Sequence, residues 1–186
     1  IDRPGAIFTE EAAQLDALAF TLALHRRAAA RGARQFERTE VIGYAADADG
    51  VTLTTAHNFR VRARHVVVCT GYETPEWASG IRADLRSSFA LVTEPLAAAD
   101  RWPTDCHIWE SARPYIDFRW AGTFAETADG LPFVSRHPKF PGAWFALGFG
   151  GNGIVFATLA AELVTAALTG EERPETRLFA FERPGL

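Results

Sequence analysis

The sequence predicts a mixed α/β fold that contains part of a parallel sheet, a β-meander and a C-terminal helix. Three patterns predict it: apolar residues at helical spacing over residues 15–31, an apolar segment without alternation at residues 65–69, and a strand, glycine-rich loop and helix over residues 144–168. The chain has 186 residues, of which 48% are hydrophobic and 23% are charged. This composition is typical of a globular chain that buries a core, and it excludes disorder as the main state.

Charge and cysteine content argue against several kinds of partner. The formal net charge is −4 and the basic residues form no block, so we expect no nucleic-acid partner. The chain has no run of about 18 consecutive apolar residues and no secretory pattern at residues 1–14, so we expect a cytoplasmic protein without a membrane span. Cys69 and Cys106 have no second Cys or His at ligand spacing, so no metal site is predicted.

The first predicted element is an amphipathic helix over residues 15–31. Leu15, Leu18 and Leu22 recur at helical spacing. Asp16 is the expected N-cap, and Gly32 is expected to end the helix.

Short strands are predicted next. Residues 35–46, 51–55 and 59–63 are β-branched or alternating and are separated by turn residues, which indicates a β-meander. The strand at residues 65–69 is apolar without alternation, which favours a strand covered on both faces in a parallel sheet.

The middle of the chain has weaker local patterns. Residues 73–86 are rich in Pro, Trp, Ser and Gly and predict a connection, and residues 88–93 predict another strand. A further strand is predicted over residues 107–116, interrupted by Arg113 and Pro114. Residues 171–186 are charged and contain prolines, which predicts a strap on the surface.

A glycine loop follows the short buried strand predicted at residues 144–147. Gly148, Gly150 and Gly153 match the Gly-x-Gly-x-x-Gly spacing that lets backbone amides approach a phosphate at a helix N-terminus, and Asn152 lies near the expected N-cap. The same glycines could instead serve a tight turn and close helix packing. After the helix, which is expected to end at Gly170, no strand precedes the next acidic residues, so this is not a standard first βαβ unit.

Three separated segments carry a family resemblance. They are residues 62–75 (RARHVVVCTGYETP), residues 120–133 with WAGTF followed by TADGLPF, and residues 136–154 with RHP and ALGFGGNGI. In this order they resemble the family of FAD-dependent amine and amino-acid oxidoreductases typified by D-amino-acid oxidase, glycine oxidase and sarcosine oxidase. The resemblance implies part of an FAD-binding parallel sheet and a remnant of an antiparallel substrate-domain sheet.

The resemblance also implies cofactor contacts, residue by residue. The backbone of Val41 matches the position that meets the adenine, Thr70 and Gly71 match a turn beside the cofactor, and Gly122 and Thr123 match backbone near the flavin ring. Sarcosine oxidase attaches its flavin to a Cys near the Gly122 position, so FAD here is expected to be non-covalent. The remaining implied contacts form the loop whose amides face the pyrimidine end of the flavin: Gly150, Gly151, Asn152, Gly153 and Ile154.

Three residues are implied on the substrate side. Arg113 could face the substrate or form a structural ion pair, and Tyr115 shares these alternatives. Phe124 stands where glycine oxidase has a carboxylate-binding Arg, and Val155 stands where sarcosine oxidase has a Lys. Without either cation, we expect plain α-amino acids to be poorly anchored. No catalytic acid or base is assigned, because in this chemistry the flavin is the reactive group.

Two departures from the family pattern concern the extent of the chain. The strand and Gly-x-Gly-x-x-Gly loop that begin family members are expected upstream of residue 1, and a long piece of substrate domain is expected between Asp117 and Phe118. We therefore expect a fragment with three parts: residues 1–75 and 120–186 from the FAD-binding domain, and residues 76–119 from the substrate domain.

The functional hypothesis is an FAD-dependent oxidoreductase that oxidises a C–N bond of an amine or amino-acid-like substrate by hydride transfer to flavin. The alternative is a truncated, non-catalytic domain that binds no FAD and acts through self-association or a partner at exposed sheet edges. A nucleotide-dependent Rossmann enzyme is disfavoured because the acidic strand end is missing.

Overall fold

A computed structural model describes residues 15–81, 83–92, 118–171 and 173–183. The chain divides into two compact units, one up to Thr39 and one from Glu40 onward. The three-part division predicted from the sequence stays a prediction. The helices and strands are α1 (Ala17–Ala30), β1 (Val41–Asp47), β2 (Gly50–Thr55), β3 (Arg60–Ala63), β4 (Val66–Val68), β5 (Asp84–Val92), β6 (Phe118–Glu126), β7 (Phe133–Arg136), β8 (Ala143–Leu147) and α2 (Gly153–Leu168).

Helix α1 lies in the first unit, and both of its predicted ends are confirmed. The Asp16 carboxylate accepts a hydrogen bond from the Ala19 amide at 2.9 Å, which satisfies one of the free amides at the helix start. Gly32 follows the last turn with φ +91°, a conformation that glycine adopts without strain.

The predicted β-meander is present as an antiparallel sheet in the order β1-β2-β3. Gly50 lies at the β1–β2 turn with φ +138°, and a Cβ there would lie 2.4 Å from the Ala63 carbonyl oxygen, so only glycine fits. The first strand begins at Val41 rather than at residue 35. Val41 pairs with Thr55, the last residue of β2, so residues 35–40 have no β2 residue opposite them.

The second sheet has the order β4-β8-β7 and holds the core. Strands β4 and β8 are parallel, as predicted, and β7 is antiparallel to β8. Every residue of β8 is buried. On one face Trp144 and Ala146 pack against α2, and on the other Phe145 and Leu147 pack against Val68 and residues around the short 3₁₀ turn that precedes β5. Both faces of the central strand are therefore covered.

The expectation that the strand at residues 65–69 is covered on both faces is wrong. Val68 is buried, but Val67 on the opposite face is 40% exposed. The cause is the position of β4 at the edge of the sheet, since α2 packs over β7 and β8. The apolar run marks the strand correctly, whereas the degree of coverage depends on what lies beside it.

Helix α2 provides one wall of the core through Ala160, Leu163 and Val164. By length and composition, one described helix, Gly150–Leu168, could cross a membrane, and core helices of globular proteins meet the same criterion. It ends where predicted, with Gly170 at φ +84°.

Strands β5 and β6 form an antiparallel pair of nine residues each, in register from Asp84 opposite Glu126 to Val92 opposite Phe118. The strand predicted from residue 88 starts four residues earlier, because β6 supplies a partner along the whole length. The pair agrees with the antiparallel remnant that the resemblance implies. The strand predicted at residues 107–116, with Arg113 and Tyr115, lies outside the described residues.

The expectation that the C-terminal segment lies on the surface is wrong for two of its residues. Phe179 joins the core beside α2. The Arg183 side chain is 3% exposed and forms a two-point ion pair with Asp129, with Nε to Oδ2 and a terminal nitrogen to Oδ1 at 2.6 and 2.7 Å. This pair links the C-terminal segment, at Arg183, to the turn between β6 and β7.

Candidate functional site

The glycine loop joins the buried strand β8 to α2, and its first two glycines are required by the backbone conformation of the loop. Gly148 has φ +74°, and a Cβ there would lie 2.9 Å from the Thr127 methyl carbon. Gly150 has φ +55° and begins a short 3₁₀ turn, Gly150–Asn152. For these two positions, the tight-turn interpretation of the motif is sufficient.

Gly151 and Gly153 differ from the first two glycines. Neither has a positive φ, and a Cβ at either position would meet no heavy atom within 4 Å. Neither backbone conformation nor packing therefore requires glycine there. Absence of a side chain leaves the backbone of the loop open to approach by another molecule.

The N-terminus of α2 begins directly after this open backbone. Asn152 is the N-cap residue, but its side chain makes no capping hydrogen bond. First-turn amides of a helix lack partners within the helix and carry a partial positive charge. Ile154 and Val155 next to them are 45% and 67% exposed, so apolar surface adjoins the uncapped amides.

Two cavities lie beside the loop. The smaller, about 120 Å³, is lined by residues that include Gly71, Thr123, Phe124 and Gly150. The larger, about 360 Å³, extends from Gly71 toward the start of β5. Positions from all three segments that carry the family resemblance thus surround one small cavity.

Several other residues that the resemblance implies do not line these cavities. Val41 pairs with Thr55 in the meander, and Gly122 pairs with Ser88 in the β5–β6 pair. The Thr70 carbonyl accepts a hydrogen bond from the Glu73 amide at 3.2 Å. The positions from Gly151 to Ile154 lie beside the cavities, in the loop and the first turn of α2. Contact of any of these residues with a cofactor stays a prediction.

Three residues near the loop were not predicted. Tyr72 lines both cavities. Glu126 forms an isolated β-bridge with Phe149, and its Oε1 lies 3.6 Å from where a Gly150 Cβ would stand. Its Oε2 forms an ion pair with Arg86, at 3.0 Å from Nε.

Arg86 also stands directly opposite Phe124 in the β5–β6 register. Cross-strand partners share a face of the sheet, so a cation lies beside the position where the family resemblance led us to expect one. Alternation of residues around Arg86 could have indicated a strand there. Only the register of β5 and β6, however, places Arg86 opposite Phe124. Among the described residues, no group of three His, Cys, Asp or Glu could hold a metal ion.

Comparison with known protein families identifies the family of this chain. The sequence matches the family described as FAD dependent oxidoreductase (DAO) over residues 2–119 and 98–167. The chain belongs to this family. The resemblance inferred from the three segments is thereby confirmed.

Individual members of the FAD-dependent oxidoreductase family match shorter stretches. Glycine oxidase of Bacillus licheniformis is 40% identical over 55 residues, 30% of this chain and 15% of that protein. Glycine oxidase of Bacillus subtilis (strain 168) is 35% identical over 66 residues, 36% of this chain and 18% of that protein. The matched stretches are less than a fifth of the length of these relatives.

Solved structures of similar proteins support the fold. Glycine oxidase from Geobacillus kaustophilus superposes with a TM-score of 0.63 at 22% identity, over 87% of this chain and 56% of that one. L-proline dehydrogenase from P. horikoshii superposes with a TM-score of 0.68 at 17% identity, over 88% of this chain and 58% of that one. This family member therefore spans somewhat more than half the length of these structures.

Several described residues of this family member would fit one end of an FAD cofactor. The open backbone at Gly151 and Gly153, the uncapped first turn of α2 and the exposed Ile154 suit a planar ring with electron-rich edges. The sequence contains a single Gly-x-Gly-x-x-Gly loop, and it is the one that lies here.

Proposed function

We propose that this chain is part of an enzyme that oxidises a C–N bond of an amine or amino-acid-like substrate with non-covalent FAD. The observation that supports this is the open glycine backbone at an uncapped helix N-terminus, beside a cavity formed by three family segments. FAD, when bound, supplies the acceptor for the hydride that leaves the substrate carbon.

The residues of the chain have positioning roles in this proposal. The first-turn amides of α2 donate hydrogen bonds toward electron-rich atoms at the pyrimidine edge of the ring and favour negative charge there. Tyr72, Thr123 and Phe124 line the adjoining cavity, which is partly apolar and would exclude water from the reacting carbon.

The charges near the cavity bear on the substrate class. Arg86 is paired with Glu126, so its charge is largely compensated before any ligand arrives. A plain α-amino acid carboxylate would have to compete with Glu126 for this guanidinium. We therefore propose an amine or a modified amino acid rather than a simple one.

Flavin retention tests the cofactor proposal. The chain is incubated with FAD and desalted, and the flavin absorbance near ~450 nm is measured. Gly151→Val should lower retained flavin at least about tenfold, because its side chain enters the open space that the ring must approach, and about 1.4 kcal/mol of lost contact is tenfold.

Gly80→Val is the matched control for this experiment. Gly80 likewise has no positive φ and no heavy atom within 4 Å of its Cβ position, and it lines neither cavity. Its flavin retention should equal that of the wild type. Equal retention in both variants would contradict the assignment of the loop to the flavin.

A second candidate function is association without catalysis. Leu85 and Phe89 on one face of the β5–β6 pair are 63% and 83% exposed, and Trp120 on the other face is 56% exposed. Apolar surface of this kind often marks an interface. A colourless protein that sediments as a dimer, and becomes monomeric with Phe89→Ser, would favour this candidate over the enzyme.

A further inference from the structure

A groove of about 650 Å³ lies outside the candidate flavin site, between the beginning of β8 and the segment that follows α2. Its polar lining includes three arginines, Arg136, Arg173 and Arg177, together with Thr176 and one acid, Glu171. The lining therefore has an excess of two positive charges, whereas the whole chain has a net charge of −4. The local excess of positive charge favours binding of anions in this groove.

The groove is separated from the glycine loop by the length of α2. The helix has 16 residues and is about 24 Å long at about 1.5 Å per residue, with the loop at its first residue and the groove at its last turn. Arg136 is paired with Trp144 near the start of β8, whereas the loop follows the end of that strand. A ligand in the groove would not touch the candidate flavin site.

The arginines are not needed to cap the end of α2. The carbonyls of Thr165, Ala166 and Ala167 near the helix end accept hydrogen bonds from the backbone amides of residues 169–171. The other interactions of the three arginines therefore decide whether their guanidinium groups are available to a ligand.

Two of the three guanidinium groups form no ion pair within the described part of the chain. Arg136 stacks on the Trp144 ring at 5.1 Å from the centroid, an arrangement that leaves the N–H edge of the guanidinium available. Within the described residues, neither Arg136 nor Arg177 pairs with a carboxylate. Arg173 forms an ion pair with Glu171, with Nε 2.7 Å from Oε1. Its terminal nitrogens form no ion pair within the described part of the chain.

Trp144 supplies a second, independent observation. The side chain forms part of the groove wall and is 5% exposed, yet its indole Nε1 has no hydrogen-bond partner in the described part of the chain. A buried donor without an acceptor costs stability and is uncommon in folded proteins. Trp144, which lines the groove, therefore has an unmatched buried donor, as does Trp77, which does not line it.

We propose that this groove binds a ligand with more than one phosphate group. Arginine forks match phosphate oxygens, and Arg136 and Arg177 come from separate elements, which gives two points of attachment. The volume is in the range of small-molecule sites and exceeds what a single phosphate ion needs. The phosphates can belong to a soluble pyrophosphate compound or to anionic lipid headgroups.

Isothermal titration of the chain with inorganic pyrophosphate tests the proposal. Arg136→Gln and Arg177→Gln should each weaken binding about tenfold or more, since each removes a charge-assisted contact. Arg60→Gln, an exposed arginine on β3, is the control and should bind as the wild type does. Thermal melts show whether each variant is folded, and Arg177 is exposed, so its replacement leaves the core intact.

Two further arms identify the source of the phosphate and the independence of the site. Co-sedimentation with phosphatidylglycerol vesicles, displaced by pyrophosphate, would identify lipid headgroups, and pyrophosphate binding without co-sedimentation would identify a soluble ligand. Gly151→Val, which alters the candidate flavin site, should bind pyrophosphate normally. No binding of either probe at millimolar concentration, equal binding by the groove variants and the wild type, or loss of pyrophosphate binding in Gly151→Val would each overturn the proposal.

Discussion

Two arginine–aspartate pairs in this protein have the same local geometry and different surroundings. In both, an aspartate begins a turn and accepts a hydrogen bond from the amide two residues later, Asp49 for Asp47 at 2.9 Å and Leu131 for Asp129 at 3.1 Å. In both, a guanidinium binds the two carboxylate oxygens at 2.6 to 2.7 Å.

The difference lies in solvent and in chain distance. Arg62 and Asp47 are about half exposed, and the pair joins β3 to the end of β1 across β2, which lies between them in the meander. Arg183 is buried and comes from 54 residues away, and it also donates to the carbonyls of Leu131, Pro132 and Ala180. One pair therefore links the two outer strands of the meander, and the other links the C-terminal segment to the turn before β7.

The largest expected effect is the loss of the buried pair. Arg183→Met should lower the free energy of unfolding by about 3 kcal/mol, because it removes the buried guanidinium that pairs with Asp129 and donates to three carbonyls. Urea denaturation followed by circular dichroism measures the change, with Arg62→Met as the matched control. A loss for Arg183→Met no larger than that of the control would show that burial does not separate the two pairs.

Acid should separate the pairs in a second way. The Arg183 guanidinium, with hydrogen bonds from Leu131 and Thr127, holds the pKa of Asp129 well below its usual range. A carboxyl whose pKa is lower in the folded state stabilises the fold above its unfolded pKa of about 3.9 and loses that effect as pH falls.

The stability difference between wild type and Arg183→Met should therefore be constant from pH 7 to about pH 5 and narrow below that. Denaturation midpoints at pH 7, 5, 4 and 3 measure it. A difference that stays constant down to pH 3 would show that the Asp129 charge does not contribute through this pair.

Much of the fold could be predicted from the sequence where the signals are local. Asp16 and Gly32 mark the ends of α1, and a buried strand followed by glycines marks the start of α2. Exposure of Val67 and burial of Arg183 could not be predicted, because both depend on residues far away in the chain. Both Asp47 and Asp129 begin a turn, and this local pattern does not predict which arginine each carboxylate binds.

The candidate site divides in the same way. Resemblance named Gly71, Thr123, Phe124 and Gly150, which line one cavity. The ion pair of Arg86 and Glu126 was missed, since it forms only through the register of β5 and β6, whose paired residues are separated by up to 42 positions in the sequence. Cross-strand pairs of this kind are tertiary features, which periodicity and motif spacing do not predict.

The smallest expected effect on stability belongs to the exposed pair of Arg62 and Asp47. A rise in the pKa of Asp47 should accompany it. Arg62 lowers the pKa of Asp47 to about 2 by hydrogen bonding. In Arg62→Met that pKa should rise toward its usual value of about 3.9, although the amide of Asp49 still donates to the carboxylate. NMR titration of the Asp47 carboxyl measures the rise, and by linkage the free energy of unfolding at pH 7 should fall with it. The loss should be smaller than for Arg183→Met, because both side chains of this pair are about half exposed and solvent screens their interaction. A loss of stability as large as that of Arg183→Met would show that the meander depends on this pair, and that geometry rather than burial decides what an arginine–aspartate pair contributes here.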